Sequence, residues 1–397
     1  MKLAKFFVLS SLVFATSAFA GNTFDAMAPY MSTSGQWMPL GNADFSPSST
    51  VSSKVAFSNN GTAYALFMSN MTVSTGGPLS LMSLSLNNNS TSWTNFGKPE
   101  FIPFAFAPFE VVNFFFMAMQ PGADYPLIAY NYSDQNYQGG TVIQYSSITG
   151  WQSLGNLSTV TILSFAVGPH GTPYVAVYDY NNSALAVLRF NQDTNIWTPV
   201  GNIGFSGNFF GDPSLKIAPN GKFYVLVSND SSGDKIQEKV MSLIGNTWKK
   251  IGTTISGPYE NALLTINPIN NVPYIAYQNT TTGNISVYAL QNNQWTAVGN
   301  THFANGSPSS FEISPSGTPF IAYTTGSSGL LNIMKLSKSN NWVPVGDINA
   351  TVGGTGTELR FLPESNTPAV IFNGDFGPAT VEALTTPLQN QTNSQGK

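Results

Sequence analysis

Trp295-Thr-Ala-Val-Gly299 is followed 47 residues later by Trp342-Val-Pro-Val-Gly346. The pattern is a tryptophan, two variable residues, an apolar residue and a glycine. It recurs at Trp37–Gly41, Trp93–Gly97, Trp151–Gly155, Trp197–Gly201 and Trp248–Gly252, so all seven tryptophans of the chain belong to a copy. Successive tryptophans stand 56, 58, 46, 51, 47 and 47 residues apart. A period of this size implies one supersecondary unit per repeat, each burying its faces only against its neighbours.

Three further segments lie between successive tryptophans. An apolar segment ends in a turn, as in Phe311-Glu-Ile-Ser-Pro-Ser-Gly317. A Pro-Tyr-apolar-Ala-Tyr type of strand follows, best seen at Pro273–Tyr277 and also at Pro173–Val177 and Pro319–Tyr323. A third apolar run such as Ile285–Leu290 then leads through an Asn-rich turn into the tryptophan strand. β-Branched and aromatic residues bounded by Asn, Gly, Pro and Ser read as strands, and no sustained helical period is present. Four short strands per repeat describe the blade of a β-propeller.

The middle segments occur seven times, at Lys54–Phe67, Phe114–Tyr130, Leu163–Tyr178, Ser214–Val227, Ala262–Tyr277, Ser310–Tyr323 and Glu358–Phe372. The tryptophan strand also occurs seven times, but one place out of step: Trp37 precedes the first set, and no tryptophan follows the last. The fold class expected is therefore all-β, a seven-bladed propeller of four-stranded antiparallel blades. Its ring is closed by Ser34–Gly41 joining the last blade, which removes two open sheet edges. The indole is expected to pack between blades, with the glycine meeting a positive φ or a close approach.

The first residues carry Lys2 and Lys5, an apolar run Phe6–Phe14 and the small-residue site Ala18-Phe19-Ala20. This reads as a Sec-type signal peptide over 1–20, cut before Gly21. A lead-in over 21–33, the propeller over 34–385 and a polar tail over 386–397, expected to be disordered, complete the organisation. Export to the periplasm or the cell exterior follows, with no transmembrane segment once the leader is removed. The mature chain would carry 13 basic and 19 acidic residues, a net charge of −6. Cysteine is absent, which excludes disulfides, thiolate metal sites and a cysteine nucleophile. Charged residues are only 9% of the chain, against about 25% in typical domains. A sparsely charged, net acidic surface argues against nucleic acid as a partner.

On the period and the Trp-x-x-apolar-Gly spacing, the chain resembles secreted seven-bladed propellers of the broad kelch, sialidase and propeller-lectin type. The departures narrow what the resemblance implies. Kelch blades carry a Gly-Gly doublet that most strands here lack. Sialidases clamp a substrate carboxylate with three arginines, whereas this chain has only Arg189 and Arg360. Asp-box turns are replaced by sequences such as Gln291-Asn-Asn-Gln-Trp295, and the cysteine of a galactose-oxidase-like copper site does not exist.

His170, in the turn Gly168-Pro-His-Gly171, and His302 have no acid beside them in sequence, which leaves little support for a triad or metal site. Asp230-Ser-Ser-Gly-Asp234 lacks the spacing of a calcium loop and reads as a hairpin tip. No catalytic, metal or cofactor-binding residue is assigned, and no cofactor is expected. Two candidate binding features remain. Lys216, Glu312 and Arg360 share one register in the first strands of blades four, six and seven, and are expected to converge on the central channel. Phe101, Phe104, Phe106 and Phe109 crowd an insertion that either fills a gap between blades or offers an apolar patch to a partner.

The function expected is that of an exported, non-catalytic, monomeric propeller that binds a protein or a glycan. The loops Asn42–Ser46, Asn202–Ser206 and Asn300–Ala304 share an Asn and an aromatic flavour that a repeated glycan site would use. The alternatives are a polysaccharide hydrolase or lyase, with Glu110, Glu260, Glu312, Glu358 and Asp212 as the carboxylates to test, and a structural envelope component.

Overall fold

The computed structural model describes residues 36–384 apart from 47–49, 70–77, 89, 100–110, 134–137, 232–234, 258, 327–328, 347, 349, 353–356 and 375–376. The predicted lead-in, the leader, the tail and the phenylalanine insertion at Phe101–Phe109 lie outside the described residues.

The strands assemble into seven antiparallel sheets, each a blade. Blade 5 is representative: Tyr259–Ile266 pairs with Pro273–Asn279, then Asn284–Gln291, then Gln294–Ala297. Its third strand also pairs with a short fifth strand, Ala304–Asn305. In blade 7 the order is Glu358–Phe361, Pro368–Asn373, Ala379–Leu384 and, from the other end of the chain, Trp37–Pro39. Trp37 faces Leu384, Met38 faces Ala383 and Pro39 faces Glu382, so the N-terminal strand closes the ring as expected.

The tryptophan motif is a latch between consecutive blades. In five copies the indole Nε1 donates to the carbonyl of the apolar residue in the preceding copy. Trp37 reaches Val345 at 2.7 Å, Trp93 reaches Leu40 at 2.7 Å, and Trp197 reaches Leu154 at 2.6 Å. Trp248 reaches Val200 at 2.7 Å and Trp342 reaches Val298 at 2.9 Å. The following glycine has a positive φ in all seven copies, from 62° at Gly346 to 81° at Gly97. In five of them a Cβ would meet the next blade's indole; at Gly201 it would stand 2.8 Å from Trp248 Nε1. Both reasons for the glycine thus operate together.

Blades pack face to face through apolar clusters that each span two neighbours. Ala129 and Val142 of blade 2 pack with Val175, Ala186 and Trp197 of blade 3, for example. The turns between first and second strands are short, as at 168–172 and 314–318. The crossovers from an outer strand to the next inner strand lie on the opposite face and are uneven in length. The longest span residues 96–110 and 345–357.

Candidate functional site

The first strand of each blade is innermost, and the register of the second strand fixes which residues share a level. Lys216, Glu312 and Arg360 pair with Tyr224, Phe320 and Ala369, one residue before the turn-side end of the pairing in each blade. The other blades place Ala56, Ala118, Ala166 and Thr265 at that level. One level deeper stand Lys54, Phe116, Ser164, Ser214, Leu263, Ser310 and Glu358. Small or apolar residues therefore dominate blades 1 to 3 at the upper level, and charge gathers on blades 4, 6 and 7.

The three predicted charges do converge. Arg360 Nη1 donates to Glu312 Oε1 and its Nη2 to Glu358 Oε1, each at 2.5 Å. Lys216 Nζ stands 3.8 Å from the same Glu312 oxygen. Glu358 Oε2 also accepts the backbone N–H of Val55 at 2.8 Å, tying blade 7 to blade 1. Equivalent ties recur where Ser164 Oγ accepts from Leu215 N and Ser310 Oγ from Leu359 N, both at 3.0 Å. Glu358 thus fills the place of a structural serine with a longer, charged side chain. Burial would lower the Arg360 pKa, but Glu358 and Glu312 outweigh it and raise it, so the guanidinium stays charged. Its group sits deep in the ring while 31% of the side-chain surface remains open, facing the axial cavity.

That cavity measures about 140 Å³. Lys54, Lys216, Glu312, Glu358 and Arg360 line it, with Ser214, Ser309, Ser310, Thr357 and apolar residues of blades 5 and 6. Sequence reasoning named Glu358 only as a carboxylate to test, and missed Lys54 and Thr357. The signal for Lys54 and Glu358 was their spacing: each lies two residues before the charged register, on the same side of an inner strand. Nothing local marks Thr357.

The other candidates are scattered. Asp212 is exposed at the entry to the first strand of blade 4, where desolvation by the surrounding chain nevertheless raises its carboxyl pKa. Glu260 belongs to the first strand of blade 5, and Glu110 and Phe101, Phe104, Phe106 and Phe109 fall outside the described residues. His170 lines a separate cavity of about 150 Å³ between blades 2 and 3, with Gln120, Gln144 and Gln192. His302 sits in a crossover with φ 57°, its backbone N–H on Ser286 Oγ at 3.0 Å. Among the described residues no three His, Asp or Glu side chains gather as a metal site would require. Asp234 lies outside the described residues, so the hairpin reading of 230–234 ends there.

The Asn-and-aromatic loops have a structural use. Asn42, Asn202 and Asn300 accept the backbone N–H of Trp93, Trp248 and Trp342 through Oδ1, at 3.1, 2.9 and 3.3 Å. Phe45, Phe205 and Phe303 stack on the same three indoles, with centroids 4.5, 4.8 and 4.5 Å apart. Both residue types contribute to the inter-blade latch.

No protein-family model matches the sequence, and no curated protein matches it. Among solved structures, the chain is similar to the β-propeller domain of the Trilobed protease from Pyrococcus furiosus. The identity is 6%, the TM-score 0.54, and the match covers 85% of this chain and 94% of that one. That domain is described as having an open velcro topology, whereas Trp37–Pro39 closes the ring here. A puromycin-hydrolysing peptidase of Mycobacterium tuberculosis matches at 11% identity and TM-score 0.55, over 89% of this chain and 55% of that one. The extracellular domain of the two-component system BT4673 from B. thetaiotaomicron matches at 12% and 0.52, over 87% and 39%. This chain spans about half or less of those two proteins. At these identities the likeness shows the fold alone: a seven-bladed β-propeller.

Proposed function

We propose that the protein is an exported, non-catalytic propeller that serves as a binding module, with a protein as its partner. The observation that carries this reading is the bridge of Arg360 between Glu312 and Glu358. A glycoside-cleaving pair needs one carboxyl group protonated and the other free to attack or activate water. Here one guanidinium holds both carboxylates and occupies an oxygen on each. The pair is thereby suited to locking blades 6 and 7 together.

Two features favour a protein over a glycan. The aromatic and asparagine residues that repeat around the ring are taken up by the blade latch. The uneven crossovers are gathered on one face, where a rigid scaffold presents variable loops for recognition. Export follows from the leader read at 1–20. No helix among the described residues is long and apolar enough to cross a membrane.

The test offers the mature protein a panel of polysaccharides and measures new reducing ends and unsaturated ends. No product above the buffer rate is expected. Product release that disappears in Glu312→Gln and Glu358→Gln would overturn the reading and establish the carboxylates as catalytic.

A further inference from the structure

The axial cavity contains more positive charge than its ion pairs consume. Three cations line it, Lys54, Lys216 and Arg360, against the two carboxylates Glu312 and Glu358. Arg360 is fully engaged by both glutamates. Lys216 reaches Glu312 only at 3.8 Å, on an oxygen that already accepts from Arg360. Lys54 makes no ion pair among the described residues. A second observation is independent of charge: Thr357 is 5% exposed, lines the same cavity, and its Oγ1 is buried without a hydrogen-bond partner. A buried hydroxyl left without a partner is destabilising, so such a group calls for an occupant that bonds to it.

We propose that this cavity binds a small oxyanion, a carboxylate or a phosphate, between Lys54, Lys216 and the Thr357 hydroxyl. The proposal narrows the binding-module reading to a ligand class at the axis and rests on it. An oxyanion supplies what the cavity lacks. Its negative charge balances the surplus cation, and its oxygens accept from two ammonium groups and one hydroxyl at once. The volume, room for about four or five waters at roughly 30 Å³ each, suits an anion the size of acetate, malonate or phosphate. The oxygens of Glu358 are already committed to Arg360 and Val55, so they do not compete for the two lysines.

Isothermal titration of the mature protein with acetate, malonate and inorganic phosphate, at fixed ionic strength, tests this directly. One saturable site is expected for at least one of the three, and which one binds separates the carboxylate from the phosphate source. Lys54→Met and the near-isosteric Thr357→Val should each weaken it by about tenfold, the scale of one lost charge-assisted or buried hydrogen bond. Glu312→Gln should tighten it, because a competing negative charge is removed. Cooperative melting of each variant confirms that it is folded. No saturation by any of the three anions would overturn the proposal. So would saturation left unchanged by both Lys54→Met and Thr357→Val, since the anion would then bind elsewhere. Failure here leaves the non-catalytic reading standing, whereas polysaccharide turnover would overturn that reading and leave anion binding intact.

Discussion

Glu238 lies in the third strand of blade 4 with 2% of its surface exposed, and Ser228 Oγ reaches both of its carboxyl oxygens at 3.0 Å. Desolvation pushes its pKa up to about 7, and the Ser228 hydrogen bond offsets only part of that. The sign for stability follows from linkage. A carboxyl with a raised folded pKa binds its proton more tightly when folded, so it disfavours folding increasingly as pH climbs from its unfolded value to about 7. The penalty is fully present above that point, at about 3 kcal/mol from a shift of this size. Glu238→Gln mimics the protonated acid. It should therefore leave stability near pH 5 little changed and raise it near pH 8 by up to about 3 kcal/mol. Urea unfolding at the two pH values measures this, and an equal effect at both would contradict it. Burial likewise lifts Glu382 to about 7, opposite Pro39 in the strand that closes the ring. Neither carboxyl could be singled out from the sequence, because the desolvation comes from blades packed against them.

At the scale of the elements, the unit of this fold is the latch rather than the strand. An indole, the carbonyl it meets, a glycine with positive φ and, in three copies, an Asn and a stacked Phe join the outer strand of one blade to the next. The tryptophan and glycine were legible because both recur at one spacing in seven repeats. The Asn and Phe were legible as a pattern but not in their contact with the indole, because a repeated polar-aromatic pair looks the same in sequence whether it faces a sugar or the neighbouring blade. Two glycines separate the causes of the glycine requirement. At Gly201 φ is 74° and a Cβ would lie 2.7 Å from Leu243 and 2.8 Å from Trp248. At Gly97 φ is 81° but no atom lies within 4 Å of the Cβ position. Gly97→Ala should cost only the backbone strain, about 1 kcal/mol, while Gly201→Ala adds overpacking of about 1–3 kcal/mol. Denaturant unfolding of the two variants checks the difference; equal losses would mean that the indole contact imposes nothing.

The whole molecule depends on a ring whose last blade is built from both ends of the chain. Blade number and closure could be read from sequence because the tryptophan strands and the inner strands are out of step by one. The axial site was half legible. Register alone placed Lys216, Glu312 and Arg360 together, but Lys54 and Thr357 line one cavity from positions more than 300 residues apart in the chain, which no local pattern encodes. Closure concentrates several interactions in a few residues. Trp37 donates to Val345, and the fully buried Leu40 provides the carbonyl that Trp93 uses. Losing side chains such as these costs about 3–5 kcal/mol for a Trp and 2–5 for a Leu, against a total stability of roughly 5–15 kcal/mol. The most direct measurement is the thermal unfolding of residues 21–397 against a form that begins at residue 42. A ring closed by the N-terminal strand predicts that the shortened form melts roughly 10 °C lower or fails to fold cooperatively. Coincident melting curves would contradict it, because they would mean that blade 7 stands without its fourth strand.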